Sequence, residues 1–290
     1  MCRTPTPLKI DGREIGSGHL PYIVAEMSAN HNGDLNRALK IIDAADGASA
    51  DAVKIQVYHP GKLAAARGGA DKVIEFGLWA GRKLGDIYHE GHTPMEWLPV
   101  LFKHAATRKI TLFASVFDAE DLPILEAFGC PAYKISSFEL TNTTLISAVA
   151  ATGKPLIMSC GMSSANDISA AIKASSGVES ALLHCVSNYP TPIERANLAR
   201  IPLMHYTYGK AIGYSDHTLG NAAPIAAVAL GACIIEKHLK LTPDEYGLDA
   251  AFSCDPVQFG YLVTSCCNAW KACQEDSAPF EPYRSLRSVA

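Results

Sequence analysis

Gly213-Tyr214-Ser215-Asp216-His217-Thr218 and Ile234-Ile235-Glu236-Lys237-His238 each carry a short apolar run to a histidine that follows a carboxylate. Between them, Gly220 to Gly231 is apolar at helical spacing. Strand, helix, strand is the repeating unit of a parallel sheet, and it brings both imidazoles out at the same end. Two histidines with a carboxylate close by suit a divalent metal that keeps coordination positions open.

The same unit recurs along the chain. Tyr22-Ile23-Val24-Ala25-Glu26-Met27 reads as a buried strand that opens into the polar loop Ser28 to Gly33, followed by a helix from Asp34 with Leu35, Ala38, Leu39, Ile42 and Ala45 on one face. Ala52 to Val57, Thr111 to Ser115, Ala132 to Ser137, Leu156 to Cys160, Ala181 to Cys185, Ala211 to Asp216 and Cys233 to His238 complete eight short apolar runs. Eight such strands, most followed by a helical segment, predict an α/β fold, a single (β/α)8 TIM barrel spanning residues 21–276. Residues 1–20 form an extension whose alternation around Asp11-Gly12 predicts a hairpin, and 277–290 form a tail without clear structure. A long insertion after the second strand, His59 to Pro99, is expected to roof the site. Asp255 to Cys273 reads as the closing helix, with Val257, Phe259, Tyr261, Leu262, Val263 and Trp270 as its apolar positions.

Composition sets the class. At 290 residues, 48% hydrophobic and 19% charged, the chain can bury a large core. A formal charge of −4 without a Lys/Arg block argues against a nucleic-acid or anionic membrane surface. No apolar run is long enough to span a bilayer and no secretory signal opens the sequence, so a cytoplasmic enzyme is the expectation. The nine cysteines lack framework spacing and are expected to be reduced and mostly buried.

In such barrels the chemistry lies at the carboxyl ends of the strands. Polar residues there are Glu26, Lys54, Gln56, Ser115, Lys134, Ser137, Ser159, Ser187, Asp216, His217, Glu236 and His238. Two lysines with several serines suit a phosphate or carboxylate, although paired Lys and Glu also occur in barrels as plain buried ion pairs. Cys160, at a strand end, is open to reading as a catalytic thiolate, His184 as a satisfied core histidine, and His31 either as a site residue or as a cap of its own loop.

The motifs Ala25-Glu26-Met27-Ser28-Ala29-Asn30-His31-Asn32-Gly33, Lys54-Ile55-Gln56, Tyr133-Lys134-Ile135-Ser136-Ser137, Ser215-Asp216-His217-Thr218 and Glu236-Lys237-His238 together resemble the sialic acid synthase family, in family order, from about Pro21 to the tail. Asp249-Ala250-Ala251-Phe252-Ser253, the insertion around Trp79 to Leu84 and Tyr88, and Cys185-Val186-Ser187-Asn188-Tyr189-Pro190 are more similar to its pseudaminic acid synthase branch. The resemblance implies condensation of phosphoenolpyruvate with an open-chain amino sugar of the 2,4-diacetamido-2,4,6-trideoxy hexose type, with release of phosphate. It implies Mn²⁺, or Mg²⁺ or Co²⁺, on His217 and His238, and phosphoenolpyruvate on Lys54, Ser115, Lys134, Ser137, Ser159, Ser187 and Ser215. Glu26 then orients water or stabilises charge at C2, Asp249 binds acceptor hydroxyls, and Gln56 and Glu236 support them.

The sequence departs from the family in having Cys160 where Thr is common and Ala29 where Gly is common. It also stops at Ser285 to Ala290, about where relatives continue into a small antifreeze-like domain that gives an Arg to the partner's acceptor site in a domain-swapped dimer. Either the sequence is a piece of a longer chain, or a single-domain homologue closes the acceptor end in another way, and a homodimer through the barrel is an open expectation. Three alternatives to the main reading also stay open: a synthase acting on another aldehyde, a Schiff-base aldolase using Lys54 or Lys134, and a barrel that binds a sugar without turnover.

Overall fold

The computed structural model describes residues 8–243 and 245–274. Leu8–Ile10 (β1) and Arg13–Ile15 (β2) pair antiparallel. Asp11 and Gly12 between them both have positive φ, 48° and 84°, the conformation that a two-residue hairpin turn needs. Leu8, Ile10 and Ile15 are buried, so this expected hairpin packs its apolar face against the core.

Tyr22–Glu26 (β3), Ala52–Val57 (β4), Thr111–Val116 (β5), Tyr133–Ile135 (β6), Leu156–Ser159 (β7), Ser180–Cys185 (β8), Ala211–Asp216 (β9) and Ile234–His238 (β10) form a closed parallel barrel, β10 returning to pair with β3. The (β/α)8 TIM barrel expected from the sequence is the fold. The expected boundaries agree with the strands to within a residue at most ends; β6 is the exception, three residues long rather than six. After Ile135 the chain turns, and Ser136 accepts a hydrogen bond from Phe138 N–H instead of pairing onward.

Side-chain alternation sorts each strand into an inner and an outer face. Gly213 shows how closely β9 and β10 approach: a Cβ there would lie 2.6 Å from the Ile234 carbonyl oxygen and 2.7 Å from its Cβ. Any side chain at this position would push the two strands apart, and with them the two histidines at their ends.

The connecting helices cover the outer face. Leu35–Gly47 is capped by Asp34, whose side chain accepts from Asn36 N–H, and it buries Ala38, Ile41, Ile42 and Ala45. The last helix, Pro256–Ala272, starts with a reciprocal capping box between Asp255 and Gln258. It buries Phe259, Leu262 and Cys266, whereas Val257 and Tyr261, expected on the apolar face, are 83% and 67% exposed. They lie on the side of the helix opposite Phe259, Leu262 and Cys266, and apolar identity alone does not tell the two faces of a helix apart.

No described helix is long and apolar enough to cross a membrane. The eight described cysteines are free thiols, six of them buried, as the irregular spacing implied. The tail expected at 277–290 and the first seven residues lie outside the described residues.

Candidate active site

A cavity of about 900 Å³ opens at the carboxyl ends of the barrel strands. Glu26, Lys54, Gln56, Ser115, Lys134, Ser137, Ser159, Ser215, His217, Glu236, His238 and Asp249 all line it. Each strand puts every second residue inward, and the register sets the inward polar groups side by side: Glu26 pairs with Lys54, Ser115 with Lys134, and Ser215 with Glu236.

The closed end is a four-charge cluster. Lys134 Nζ donates to both carboxylate oxygens of Glu236 at 3.2 Å, and Lys54 Nζ pairs with Glu26 and donates to Ser115 Oγ at 2.7 Å. Glu236 also accepts from Ser215 Oγ at 3.1 Å. All four charged groups are fully buried, and the consequences differ. Burial opposes ionisation of Glu236, but the Lys134 and Lys54 ammoniums outweigh it and hold its carboxyl below the ordinary range. Burial wins at Glu26 and pushes its carboxyl up, even though Lys54 pulls the other way. Lys54, facing both carboxylates, is held above its usual value in spite of burial. Lys134 goes down, because burial and the nearby Lys54 charge exceed the pull of Glu236.

The two histidines stand at the next level, ring centroids 5.6 Å apart. His217 Nδ1 lies 2.9 Å from the Val186 carbonyl oxygen, to which it donates, leaving Nε2 with its lone pair. A backbone carbonyl on one ring nitrogen is the usual way a metal-binding imidazole is oriented on the other. His238 Nδ1 is buried without a hydrogen-bond partner, with Asp249 Oδ2 at 3.9 Å. Burial pushes the pKa of both histidines down, that of His238 further because His217 is beside it, and so favours the uncharged form of each ring. The donor set therefore fits a divalent cation. Among the described residues no group of three or more His, Cys, Asp and Glu side chains is arranged to hold a metal.

Above the histidines the wall becomes aromatic. Tyr189, joined to Pro190 by a cis peptide bond, lies 4.3 Å from the His217 ring, and Phe252 lies 4.7 Å from that of His238. Trp79 closes this group at 5.6 Å from Tyr189. The expected roof is present: the insertion supplies Leu63, Arg67, Lys72, Ile74, Trp79, Ile87 and Tyr88 to the cavity. Two polar ties hold it down. Trp79 Nε1 donates to the Leu248 carbonyl at 2.9 Å, and Arg67 pairs with Glu139 and donates to Tyr88 Oη at 3.0 Å. Asp249 accepts from Ser28 Oγ and, at 3.3 Å, from Ala29 N–H; burial nevertheless raises its pKa.

One reading that the sequence left open is not supported by the structure. Cys160 does not line the cavity: Ser159 points inward, so the next residue points outward, and the Cys160 thiol is buried 3.7 Å from the Met158 carbonyl. Burial pushes it up to about 12, which excludes a catalytic thiolate. The Ser187 hydroxyl lies beside the cavity wall and donates to Ser137 Oγ at 3.3 Å. His31 is a loop cap: its Nδ1 accepts from Gly33 N–H at 3.1 Å, and burial holds the ring neutral, with a pKa of about 4. His184 is a satisfied core histidine, bonded to the Ala196 carbonyl at 2.8 Å.

Sequence reasoning missed Ser28, Tyr58, Phe117 and Arg67 as cavity residues. For the first three a signal existed: each stands two residues beyond an inward polar residue, Glu26, Gln56 and Ser115, and so continues the inner face past the strand end. Arg67, at the end of the helix Pro60–Ala66, had no such phase to reveal it.

Comparison with known proteins identifies the family of the chain. Residues 41–278 match the model of the NeuB family. A pseudaminic acid synthase of Helicobacter pylori is 38% identical over 90% of this chain and 78% of its own length. One from Campylobacter jejuni is 40% identical over 83% of this chain and 71% of its own. Among solved structures, an N-acetylneuraminic acid (sialic acid) synthetase from Leptospira borgpetersenii, in complex with citrate, superposes with a TM-score of 0.86 at 32% identity, covering 98% of this chain and 95% of that one. With barrel, cavity and sequence in agreement, the chain belongs to the NeuB family.

Proposed function

We propose that this chain, a synthase of the nonulosonic acid type, condenses phosphoenolpyruvate with the aldehyde of an open-chain, N-acylated deoxy amino sugar. The acceptor we favour is a 2,4-diacetamido-2,4,6-trideoxy hexose, and the product is a pseudaminic-type acid with release of phosphate. The observation that carries the proposal is the division of one cavity into a closed end with two lysines among hydroxyls and an open end with aromatic walls, two neutral histidines lying between.

The closed end suits the anion. Lys54 and Lys134 supply charge, and Ser115, Ser137, Ser159 and Ser215 supply directional donors for phosphate and carboxylate oxygens. Held there, phosphoenolpyruvate presents C3 toward the histidines, where the acceptor aldehyde lies. C3 forms the new carbon–carbon bond, the aldehyde oxygen takes a proton, water adds at C2, and the C2–O bond to phosphate breaks to leave the ketone. Glu26, whose carboxyl holds its proton more readily than a free one and accepts from Gln56 Nε2 at 3.1 Å, is placed to orient that water and exchange a proton with it. His217 and His238 would hold Mn²⁺, Mg²⁺ or Co²⁺, which when bound supplies Lewis-acid polarisation of the carbonyl. Trp79, Tyr189 and Phe252 exclude water and offer apolar surface to the methyl groups of an acylated deoxy sugar.

Phosphoenolpyruvate carrying ¹⁸O in its bridging oxygen tests the chemistry. The label is expected in the phosphate released. Label in the keto acid, or a borohydride-stable adduct on Lys54 or Lys134, would replace this mechanism with phosphorus–oxygen cleavage or a Schiff base.

A further inference from the structure

Asp216 and Lys237 belong to the same two strands as the histidines but to the opposite face. They are register partners on β9 and β10, and alternation turns them outward while Ser215, His217, Glu236 and His238 turn inward. Both are buried between barrel and helices, 0% and 1% exposed. Lys237 Nζ donates to Asp216 Oδ2 at 2.5 Å and to the Thr218 carbonyl at 2.8 Å. Thr218 N–H in turn donates to Asp216 Oδ1 at 2.9 Å. These three bonds close a ring around the peptide that carries His217, and the ring is fastened to the residue immediately before His238.

Stability alone gives little reason for such a pair. Taking two charges out of water costs about as much as their attraction returns, and well-packed apolar side chains in the same volume commonly do as well. Geometry gives a better one. A ring that fixes both flanks of His217 and the backbone beside His238 leaves the two imidazoles little freedom to separate.

We infer that Asp216 and Lys237 are positioning residues, a latch on the outer face of the barrel that sets the separation and orientation of His217 and His238 for one divalent cation. The inference rests on the two-histidine reading above and goes beyond it, since neither residue touches the cavity. Loss of the latch acts on the site through β9 and β10, not through the pocket wall.

The test uses the whole chain and Mn²⁺ alone, titrated by the electron paramagnetic resonance signal of the free ion, with thermal melts and imidazole ¹⁵N spectra recorded in parallel. In the double variant Asp216→Asn with Lys237→Met no net charge is left buried, and it should melt close to the wild type. Its Mn²⁺ dissociation constant should rise at least tenfold, and the His217 and His238 ring resonances should shift. Lys237→Arg keeps a cation beside Asp216 but cannot reproduce the two Nζ bonds, and should show the same changes in smaller measure, which keeps the test available if the double variant folds poorly. Wild-type Mn²⁺ affinity within twofold in both variants, with unmoved histidine resonances, overturns the latch. If the wild type binds no Mn²⁺, or His238→Ala does not weaken binding, the metal reading itself fails. The latch is then decided on the ring resonances, where a shift supports it and their constancy overturns it.

Discussion

The closed end of the cavity and its roof are built on different principles. At the closed end Lys54, Lys134, Glu26 and Glu236 stand on barrel strands, each held by a register partner and by bonds to other side chains of the barrel. In the roof Trp79, Tyr189, Phe252 and Arg67 come from connecting segments, held by a few ties such as Trp79 to the Leu248 carbonyl. Strand-borne groups are rigid and suit the half of the reaction that needs charge in a fixed place. Loop-borne groups are the ones that vary without disturbing the core, and they suit the half that recognises the acceptor.

If that division is right, mutations in the two regions should have separate kinetic signatures. Lys134→Met should give the largest effect, a fall in phosphate release on the order of 10²–10³-fold, the size expected when a group that stabilises transition-state charge is removed. It also leaves Glu236 without its paired ammonium, so a thermal melt must accompany the rate measurement. Phe252→Ala should raise the acceptor KM about tenfold, roughly the worth of one aromatic contact plus the surface it covers, with the phosphoenolpyruvate KM unchanged. Trp79→Phe removes the bond to Leu248 and part of the ring surface beside Tyr189 and Phe252, and should cost about 1 kcal/mol or a little more, seen as a several-fold rise in acceptor KM. Val257→Ser, on the exposed face of the last helix, should change stability by no more than about 0.5 kcal/mol and leave both KM values alone. A roof variant that raised the phosphoenolpyruvate KM as much as the acceptor KM would erase the distinction.

The same division explains how far the sequence could be read. Barrel strands announce themselves by short apolar runs, and the inward residues follow from a period of two, so Glu26, Lys54, Ser115, Lys134, Glu236 and the two histidines could be assembled before any coordinates. Cys160 shows the limit of listing strand-end residues without phase: it is next to an inward serine and therefore outward. Ser187 lies two residues beyond the inward Cys185, past the end of β8, and its hydroxyl meets Ser137 at the edge of the cavity. Arg67 belongs to an insertion whose helices Pro60–Ala66 and Leu84–Gly91 have no sheet register to place them. The aromatic wall is the meeting of three segments distant in sequence, around Trp79, Tyr189 and Phe252, and only the folded barrel brings them together.

In the proposed reaction one cavity takes phosphoenolpyruvate at its charged end and an amino-sugar aldehyde under its aromatic roof, with a divalent cation on the histidines between. Phosphate release by the metal-free protein, given phosphoenolpyruvate and a panel of amino-sugar aldehydes with and without Mn²⁺, tests it most directly. Release is expected to require both Mn²⁺ and a diacetamido trideoxy hexose and to be lost in His217→Ala and His238→Ala. Release without metal, or none with any aldehyde of the panel although Mn²⁺ binds, would contradict it.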